Sequence, residues 1–293
     1  SIKAQELANE HNATVFSSDS LREELFNDVI HQEDNAKLFN ELHRRIKECL
    51  KDGKNAIYDA TNINYKRRMA FLSELKYIPC KKICILMATP FDICLNRNEK
   101  RERKVPVHVI DRMYCNFDVP WYYEGWDEIK VEYADGTENL YGSPYYFITS
   151  TMHFDQENPH HDLTLGEHCA KTTTYVNQCL ENQLGSNSSI ELRYAAMLHD
   201  NGKPYTKTFI NGKGEITEQA HYYNHERTGS YDSLFYEMSC NKLYVATLIR
   251  WHMQPYFYEK DNNEKLHDKY KKLWGEDLYN AVALLHKADK AAH

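Results

Sequence analysis

The sequence predicts an α/β domain, a parallel sheet with helices on both faces, followed by an all-α domain. Short apolar segments alternate with helical patterns through the first half, which is typical of parallel strands joined by helices. Helical patterns dominate from Leu165 onward, after a loop-like stretch rich in Gly, Ser, Pro and Tyr. We therefore expect two domains, at residues 1–148 and 149–293.

The first half alternates between the two kinds of element in a regular order. Leu38, Leu42 and Ile46 recur at helical spacing and mark its longest helix. Helices are predicted at 2–11, about 33–51, 65–75 and 91–100, and strands at 13–18, 55–61, 82–89 and 127–135. In the second half, clusters of Gly and Asn at 185–189 and 211–214 predict loops between helices.

Composition excludes several classes of protein. The 293 residues are 42% hydrophobic and 27% charged, as in soluble globular proteins. No stretch approaches the roughly 18 apolar residues of a membrane span. Eight cysteines without a CxxC pair favour free thiols in a cytoplasmic protein over a zinc ribbon. The net charge of −7 is shared by both halves, so neither is a basic nucleic-acid module in bulk.

Polar side chains follow the first two predicted strands. Asp19 and Arg22 come after the first strand, and Asp59 and Asn62 after the second. Ligands of open α/β sheets bind at these strand ends. Phosphoryl transfer needs such groups, because a carboxylate accepts the proton of a hydroxyl and arginines neutralise phosphate oxygens.

The ordered motifs SDSLR, DATN followed by RR, ATPF…RNEKR and VPWYYEGWDEI resemble the P-loop kinase family that includes phage polynucleotide 5′-kinase. The resemblance covers residues 1 to about 130. It implies that Asp19 is the general base and that Arg22 grips the acceptor phosphate. It also implies that Asp59 and Asn62 lie in the acceptor pocket.

Two arginines and the first residue complete the implied kinase site. Arg97 and Arg101, which we expect on one helix face, correspond to lid arginines that contact the phosphates of ATP, the nucleoside triphosphate donor. The family's phosphate loop, GxxxxGK[ST], is absent from the sequence. Ser1, followed by a helix, resembles the last residue of that loop, so we expect the preceding strand and loop to be cut off and Ser1 to hold Mg²⁺. The alternative is a degenerate domain that only binds RNA.

The second half carries a set of potential metal ligands, which are His168, the adjacent pair His199-Asp200, His225, His252 and Asp289. Imidazoles and carboxylates suit Mn, Fe, Ni, Co, Zn or Mg. Such metals activate water for attack on phosphorus. Lys203 is expected to hold a phosphate oxygen in catalysis.

This ordered set, with NPHHDLTLGEH and LHDNGKP around it, resembles the HD superfamily of metal-dependent phosphohydrolases. The sequence around these ligands is similar to that of HD domains attached to tRNA nucleotidyltransferases. The resemblance implies four core ligands (His168, His199, Asp200, Asp289) and a possible second ion held through His225 and His252. The remaining histidines are expected in loop, supporting or structural roles, including His160, His161, His221, His286 and His293.

A 5′-kinase joined to a phosphohydrolase resembles bifunctional enzymes that heal nucleic-acid ends. We expect the substrates to be nucleic-acid ends, RNA rather than DNA, with no membrane partner. One alternative is a nucleoside kinase joined to a nucleotidase that acts on free nucleotides. Another is a phosphohydrolase whose kinase-like domain is a non-catalytic RNA-binding module.

Overall fold

The computed structural model describes residues 1–28, 33–159, 161–181, 189–260 and 262–292. Packing divides the chain into two compact units, Ser1–Lys82 and Ile83–His293. The predicted loop at 185–189 falls largely outside the described residues. No helix among the described ranges is long and apolar enough to cross a membrane.

The first unit is built around two parallel strands. Its strands are β1 (Ala13–Ser17) and β2 (Asn55–Asp59), and its helices are α1 (Ile2–His11), α2 (Ser18–Phe26), α3 (Asn35–Lys51) and α4 (Tyr65–Glu74). Leu38, Leu42 and Ile46 form the buried stripe of α3, as their spacing predicts. Ser17 lies opposite Asp59 in the strand register, so the carboxyl ends of both strands share one edge of the sheet.

The second unit begins with another parallel strand pair. Its first elements are β3 (Ile83–Ala88), α5 (Phe91–Glu99), α6 (Val107–Tyr114), β4 (Glu128–Tyr133) and α7 (Pro144–Ser150). The two strands run in register from Ile83 opposite Glu128 to Ala88 opposite Tyr133. The expectation of parallel strands joined by helices in the first half is therefore confirmed.

The rest of the second unit is largely helical. Its elements are α8 (Leu165–Glu181), α9 (Ser189–Leu198), α10 (Lys203–Thr206), β5 (Lys207–Ile210), β6 (Ile216–Tyr222), α11 (His225–Asp232), α12 (Lys242–Trp251), α13 (Gln254–Glu259), α14 (Glu264–Trp274) and α15 (Glu276–Ala291). The expectation of an all-α second part is wrong at one place, because β5 and β6 form an antiparallel hairpin.

The turn of this hairpin explains the error. The cluster at 211–214 is a loop, as predicted, but it reverses the chain between strands instead of joining helices. The Asn211 side chain accepts hydrogen bonds from the amides of Lys213 and Glu215, and Gly214 adopts a φ of 85°. These are local features of a tight reversal that the sequence pattern already contained.

One apolar core joins the strands of the second unit to its helices. Leu86 and Ala88 of β3 belong to the same buried cluster as Phe235 and Ala246. The Tyr231 hydroxyl also accepts a hydrogen bond from the Thr89 amide and donates to the Thr89 carbonyl, both at 2.9 Å. The predicted domain boundary at 148/149 lies inside this packed unit, whereas packing divides the chain after Lys82.

A chain restricted to residues 149–293 is therefore expected to be unfolded or aggregated. It would lose Leu86, Ala88 and Val119 from the shared core and expose their apolar partners to water. A chain of residues 83–293 retains that core and is the matched control. Far-ultraviolet circular dichroism and urea unfolding would compare the two. Cooperative unfolding of both fragments at the same urea concentration would instead support a boundary at 148/149.

A half-buried carboxyl group lies where α6 meets α11. The Tyr114 hydroxyl donates to Asp232 Oδ2 at 2.5 Å. Burial raises the pKa of Asp232 from 3.8 to about 7; the Asp92 carboxylate adds to this rise, and the Tyr114 hydrogen bond opposes it. Near neutral pH, the folded chain thus holds a proton that the unfolded chain releases.

We expect Asp232 to make stability fall as the pH rises from about 4 to about 7. Its contribution is fully present below the pKa of the unfolded chain and is lost as the pH passes the folded value. The total is at most about 4 kcal/mol, at roughly 1.4 kcal/mol per pKa unit. Urea unfolding across this range should show a flatter profile for Asp232→Asn, while the exposed Asp135→Asn control should keep the original slope. Parallel profiles for all three proteins would contradict the assignment.

Candidate functional site

Two groups of potential metal ligands lie in the second unit. One group is His168, His199 and Asp289, and the other is Asp200, His225 and His252. All six side chains are buried, and within each group the ligand atoms lie within 4.8 Å of one another. The structure thus brings together all six residues that the sequence singled out, although they come from five different places in the helical part. Their role as metal ligands stays a prediction.

The first group has the spacing that a small divalent ion requires. His168 Nε2 lies 3.0 Å from His199 Nε2 and 3.1 Å from Asp289 Oδ1. His199 Nε2 lies 3.6 Å from the same Asp289 oxygen. Ligands at about 2.1 Å from a tetrahedral ion lie about 3.4 Å apart, so these three donors fit one ion.

Asp200 stands between the two groups and presents a different oxygen to each. Its Oδ2 lies 3.4 Å from the Nε2 atoms of both His168 and His199. Its Oδ1 lies 3.2 Å from His225 Nε2 and 3.8 Å from His252 Nε2. A carboxylate in this position is able to bridge two cations, one held by each group.

Three of the imidazoles are oriented by backbone carbonyls. The Nδ1 atoms of His199, His225 and His252 lie 2.9, 2.8 and 2.7 Å from the carbonyl oxygens of Ala196, Tyr222 and Ile249. An Nδ1–H donated to a carbonyl leaves the Nε2 lone pair free to bind a metal. Since all three Nε2 atoms point into the cluster, the donor set fits one or two divalent ions.

Local capping helps to place the ligands on their helices. The Thr164 hydroxyl accepts from the Glu167 amide at 3.4 Å, and Glu167 Oε2 accepts from the Thr164 amide at 3.0 Å. This reciprocal pair begins α8 directly before His168. At α12, the Asn241 side chain accepts from the Tyr244 amide and caps the helix that ends beside His252.

Charge and burial set the protonation of the cluster. Burial opposes ionisation of Asp200, but the Lys203 ammonium and neighbouring imidazoles hold its pKa well below the usual range. The pKa of Asp289 is also lowered well below normal, since hydrogen bonds from His168 and His199 outweigh burial. Burial, reinforced by His199 and His225, lowers the pKa of His252 to about 3. Against the effect of burial, the Asp200 carboxylate raises the pKa values of His199 and His225, so metal binding there would displace protons.

Lys203 is buried at the edge of the cluster and uses its three ammonium protons within the protein. Its Nζ lies 2.7 Å from Asp200 Oδ2, 2.7 Å from Gln156 Oε1 and 3.2 Å from His161 Nε2. A phosphate oxygen would therefore replace one of these acceptors instead of meeting an idle donor. Sequence reasoning missed Gln156 altogether and left His161 as a loop or supporting residue.

Two further side chains support the cluster. The Tyr256 hydroxyl donates to Asp289 Oδ2 at 3.2 Å, which leaves Oδ1 facing the histidines. His286 packs edge-on against Tyr256, with ring centroids 4.3 Å apart, as expected of a structural residue. No motif marks Tyr256, and only its neighbours in space identify it. His160 and His293 lie outside the described residues.

In the first unit, the structure places the expected kinase residues at the ends of β1 and β2. Asp19 lies in the first turn of α2 with its side chain 64% exposed, and Arg22 is buried beside it at 3.1 Å. Arg22 also donates to Asn35 Oδ1 at 3.0 Å, so its guanidinium is held in place. Asp59 ends β2.

The loop after β2 has a defined shape. Asn62 adopts a positive φ of 44°, and its carbonyl accepts a hydrogen bond from buried Arg68 at 2.9 Å. Asn64 then caps α4 by accepting from the amides of Lys66 and Arg67. Arg68, the second arginine of the motif DATN followed by RR, thus supports the loop.

The two expected lid arginines do not share a helix face, which corrects the sequence prediction. Arg97 is exposed on α5, but this helix ends at Glu99 and Arg101 lies beyond it. Asn98 explains the early end, because its buried side chain both donates to the Val105 carbonyl and accepts from the Val105 amide, at 2.8 Å each. These bonds tie the following loop back onto α5.

Comparisons with known proteins agree with this picture of the first part. Residues 1–120 match the family described as AAA domain. The chain is also 33% identical over 95 residues to the L-seryl-tRNA(Sec) kinase of Methanococcus maripaludis. That alignment covers 32% of this chain and 37% of the relative, so the chain spans well under half of that protein. The N-terminal part is therefore a P-loop kinase-like domain.

Proposed function

We propose that the protein is a bifunctional enzyme that heals RNA ends. Its kinase-like part adds phosphate from ATP to a 5′-hydroxyl. An HD-type part, which packs in one unit with the chain from Ile83 onward, removes a 3′-phosphate or opens a 2′,3′-cyclic phosphate. The observation that carries the proposal is the pair of buried ligand groups joined by Asp200, in the same chain as a kinase-like domain.

In the hydrolytic half, His168, His199 and Asp289 would hold one divalent ion, and His225 with His252 a second, with Asp200 shared. Divalent ions held in this way activate water and polarise a phosphoryl oxygen. Lys203 would exchange one of its neutral acceptors, Gln156 or His161, for an oxygen of the substrate phosphate. The donors do not select among Mn, Fe, Ni, Co, Zn and Mg.

In the kinase half, exposed Asp19 would accept the proton of the attacking hydroxyl, and Arg22, already oriented by Asn35, would bind the acceptor phosphate. Asp59 and Asn62 would complete the acceptor pocket. Ser1, with Mg²⁺, and the arginines Arg97 and Arg101 would contact ATP. The exposure of Asp19 supports its assignment, because a general base must reach its substrate.

The substrate class rests on similarity and chemistry together. The M. maripaludis relative is by its name a kinase that acts on seryl-tRNA(Sec). The motifs around His168 and Lys203 are similar to those of HD domains attached to tRNA nucleotidyltransferases. Both similarities favour RNA over DNA and over free nucleotides.

The test is an assay of the intact protein with Mn²⁺, Mg²⁺ and ATP on an RNA oligonucleotide that has a 5′-hydroxyl and a 3′-phosphate. We expect label transfer to the 5′ end and release of inorganic phosphate from the 3′ end. DNA, a 2′,3′-cyclic end and a mononucleotide serve as comparisons. Faster turnover of the mononucleotide would favour the nucleotidase alternative, and two unchanged RNA ends would overturn the proposal.

Asp19→Ala is expected to lower 5′-phosphorylation by about 10²–10⁴-fold, the usual contribution of a general base. Release of 3′-phosphate should be unchanged, because this reaction depends on the other ligand groups. Asp52→Ala, which removes an exposed carboxylate from the end of α3, is the control and should keep both activities. Full kinase activity in Asp19→Ala would remove Asp19 from the mechanism.

A further inference from the structure

A buried ion-pair network surrounds Asp118, in the loop that follows α6. Asp118 is only 2% exposed. Its Oδ1 accepts a hydrogen bond from Arg250 Nε at 2.7 Å and lies 3.4 Å from Arg227 Nε. One carboxylate oxygen therefore contacts two arginines from two different helices.

The two arginines lie close in sequence to two of the potential metal ligands. Arg227 follows His225 by two residues in α11, and Arg250 precedes His252 by two residues in α12. His225 and His252 are the two histidines of the second ligand group, and their Nε2 atoms lie 3.4 Å apart. Asp118 thus joins the two helix ends that must stay together for this group to exist.

Neighbours of Asp118 strengthen the same junction. The Asn116 side chain accepts from Arg227 at 3.3 Å, and the Tyr123 hydroxyl accepts from Trp251 Nε1 at 3.1 Å. Arg250 also lies 3.6 Å from Glu226, which connects α12 directly to α11. The loop therefore holds both helices at several points, of which the Asp118 contact is the shortest.

The first ligand group is carried by other elements. His168 lies on α8, His199 follows α9, and Asp289 lies on α15. A loss of the junction between α11 and α12 should therefore affect the two groups unequally.

We propose that Asp118 is a positioning residue for the second ligand group. The loop that carries Asp118, at the end of the kinase-like segment, then supports the metal centre. The hydrolytic half therefore depends on residues that come before it in the chain. This inference rests on the proposed metal centre but not on the identity of its substrate. Removing such a supporting contact typically lowers metal affinity about 10–100-fold.

The test is calorimetric titration of the full chain with Mn²⁺. The unmodified protein should bind two ions, and Asp118→Asn should weaken one of them about 10–100-fold while leaving the other unchanged. Its titration should match that of His252→Ala and differ from that of His168→Ala. Electron paramagnetic resonance should show loss of the spin coupling between paired Mn²⁺ ions. The exposed Asp135→Asn is the matched control.

A folding defect is separated from a positioning effect in two ways. The retained first ion reports an intact fold. Asp118→Asn with Arg250→Gln removes both charges of the 2.7 Å ion pair, while Arg227 keeps Glu226 as a charged neighbour. We expect this double variant to fold and still to bind the second ion weakly. Three results would overturn the inference. Both variants could bind the two ions as tightly as the unmodified protein does, or a folded variant could lose both ions equally. The third such result is that the unmodified protein binds a single ion. Two bound ions without hydrolysis would instead count against the proposed function alone.

Discussion

Asp200→Ala is expected to abolish Mn²⁺ binding to both ligand groups and to stop hydrolysis of the 3′-phosphate. Asp200 presents one carboxylate oxygen to each group, with Oδ2 at 3.4 Å from His168 and Oδ1 at 3.2 Å from His225. A bound metal contributes several kcal/mol to transition-state stabilisation, so the rate should fall by about 10³-fold or more. The kinase reaction should be unaffected.

Two controls show that the effect belongs to the carboxylate. Asp162→Ala removes an exposed carboxylate from the loop before α8 and should leave metal binding unchanged. Asp200→Asn keeps the shape of the side chain but loses its charge, so it should bind metal almost as poorly as alanine. Calorimetry and release of inorganic phosphate measure the two effects. Hydrolysis at the original rate in Asp200→Ala would disprove the metal-centre assignment.

Gly202→Ala is expected to destabilise the protein by about 3 kcal/mol or more, at the upper end of overpacking effects. A Cβ atom at this position would lie 2.2 Å from the His225 carbonyl oxygen and 2.7 Å from the Gly229 amide nitrogen. Both obstacles are backbone atoms, which cannot rotate away as a flexible side chain would. The start of α11 must move instead, and His225 would move away from Asp200 with it.

Gly212→Ala is the matched control, because its Cβ would meet nothing nearer than the Tyr223 hydroxyl at 3.8 Å. We expect this variant to change stability by no more than about 0.5 kcal/mol. Urea unfolding measures both variants, and Mn²⁺ titration should show that Gly202→Ala also weakens the second ligand group. Equal stability of the two variants would mean that the backbone at His225 and Gly229 moves away from Gly202 at little cost, contrary to this argument.

Local patterns in the sequence were sufficient for much of the fold. The apolar stripe of α3 and the strands β1 to β4 follow from side-chain periodicity, which depends only on neighbouring residues. Three helices, α2, α6 and α7, were not predicted. In α2, the short run after Asp19 carries few apolar residues, so its helical pattern is weak. The hairpin of β5 and β6 was missed because its turn was interpreted as a loop between helices.

The candidate site, like the fold, was predicted only in part from the sequence. The motifs around His168, His199 and Asp289 identify chemically suitable ligands, but their spacing in the chain does not say how they meet. Supporting residues such as Gln156, Tyr256 and Asp118 have no motif, because their role depends on contacts with residues far away in the chain. Arg101 is the opposite case, in which a local pattern was misleading. Its spacing from Arg97 suggested that both arginines share a helix face, but the Asn98 side chain binds the following loop and the helix ends before Arg101.

By itself, the sequence determined a kinase-like α/β part, a largely helical second part and six chemically suitable ligands, because periodicity and residue type are local properties. Only the tertiary structure decided that Asp200 faces both ligand groups, that Lys203 is already engaged with three acceptors, and that β3 shares a core with α12. The physical reason is that these relations join residues distant in the chain. Packing of complete helices and strands sets such distances.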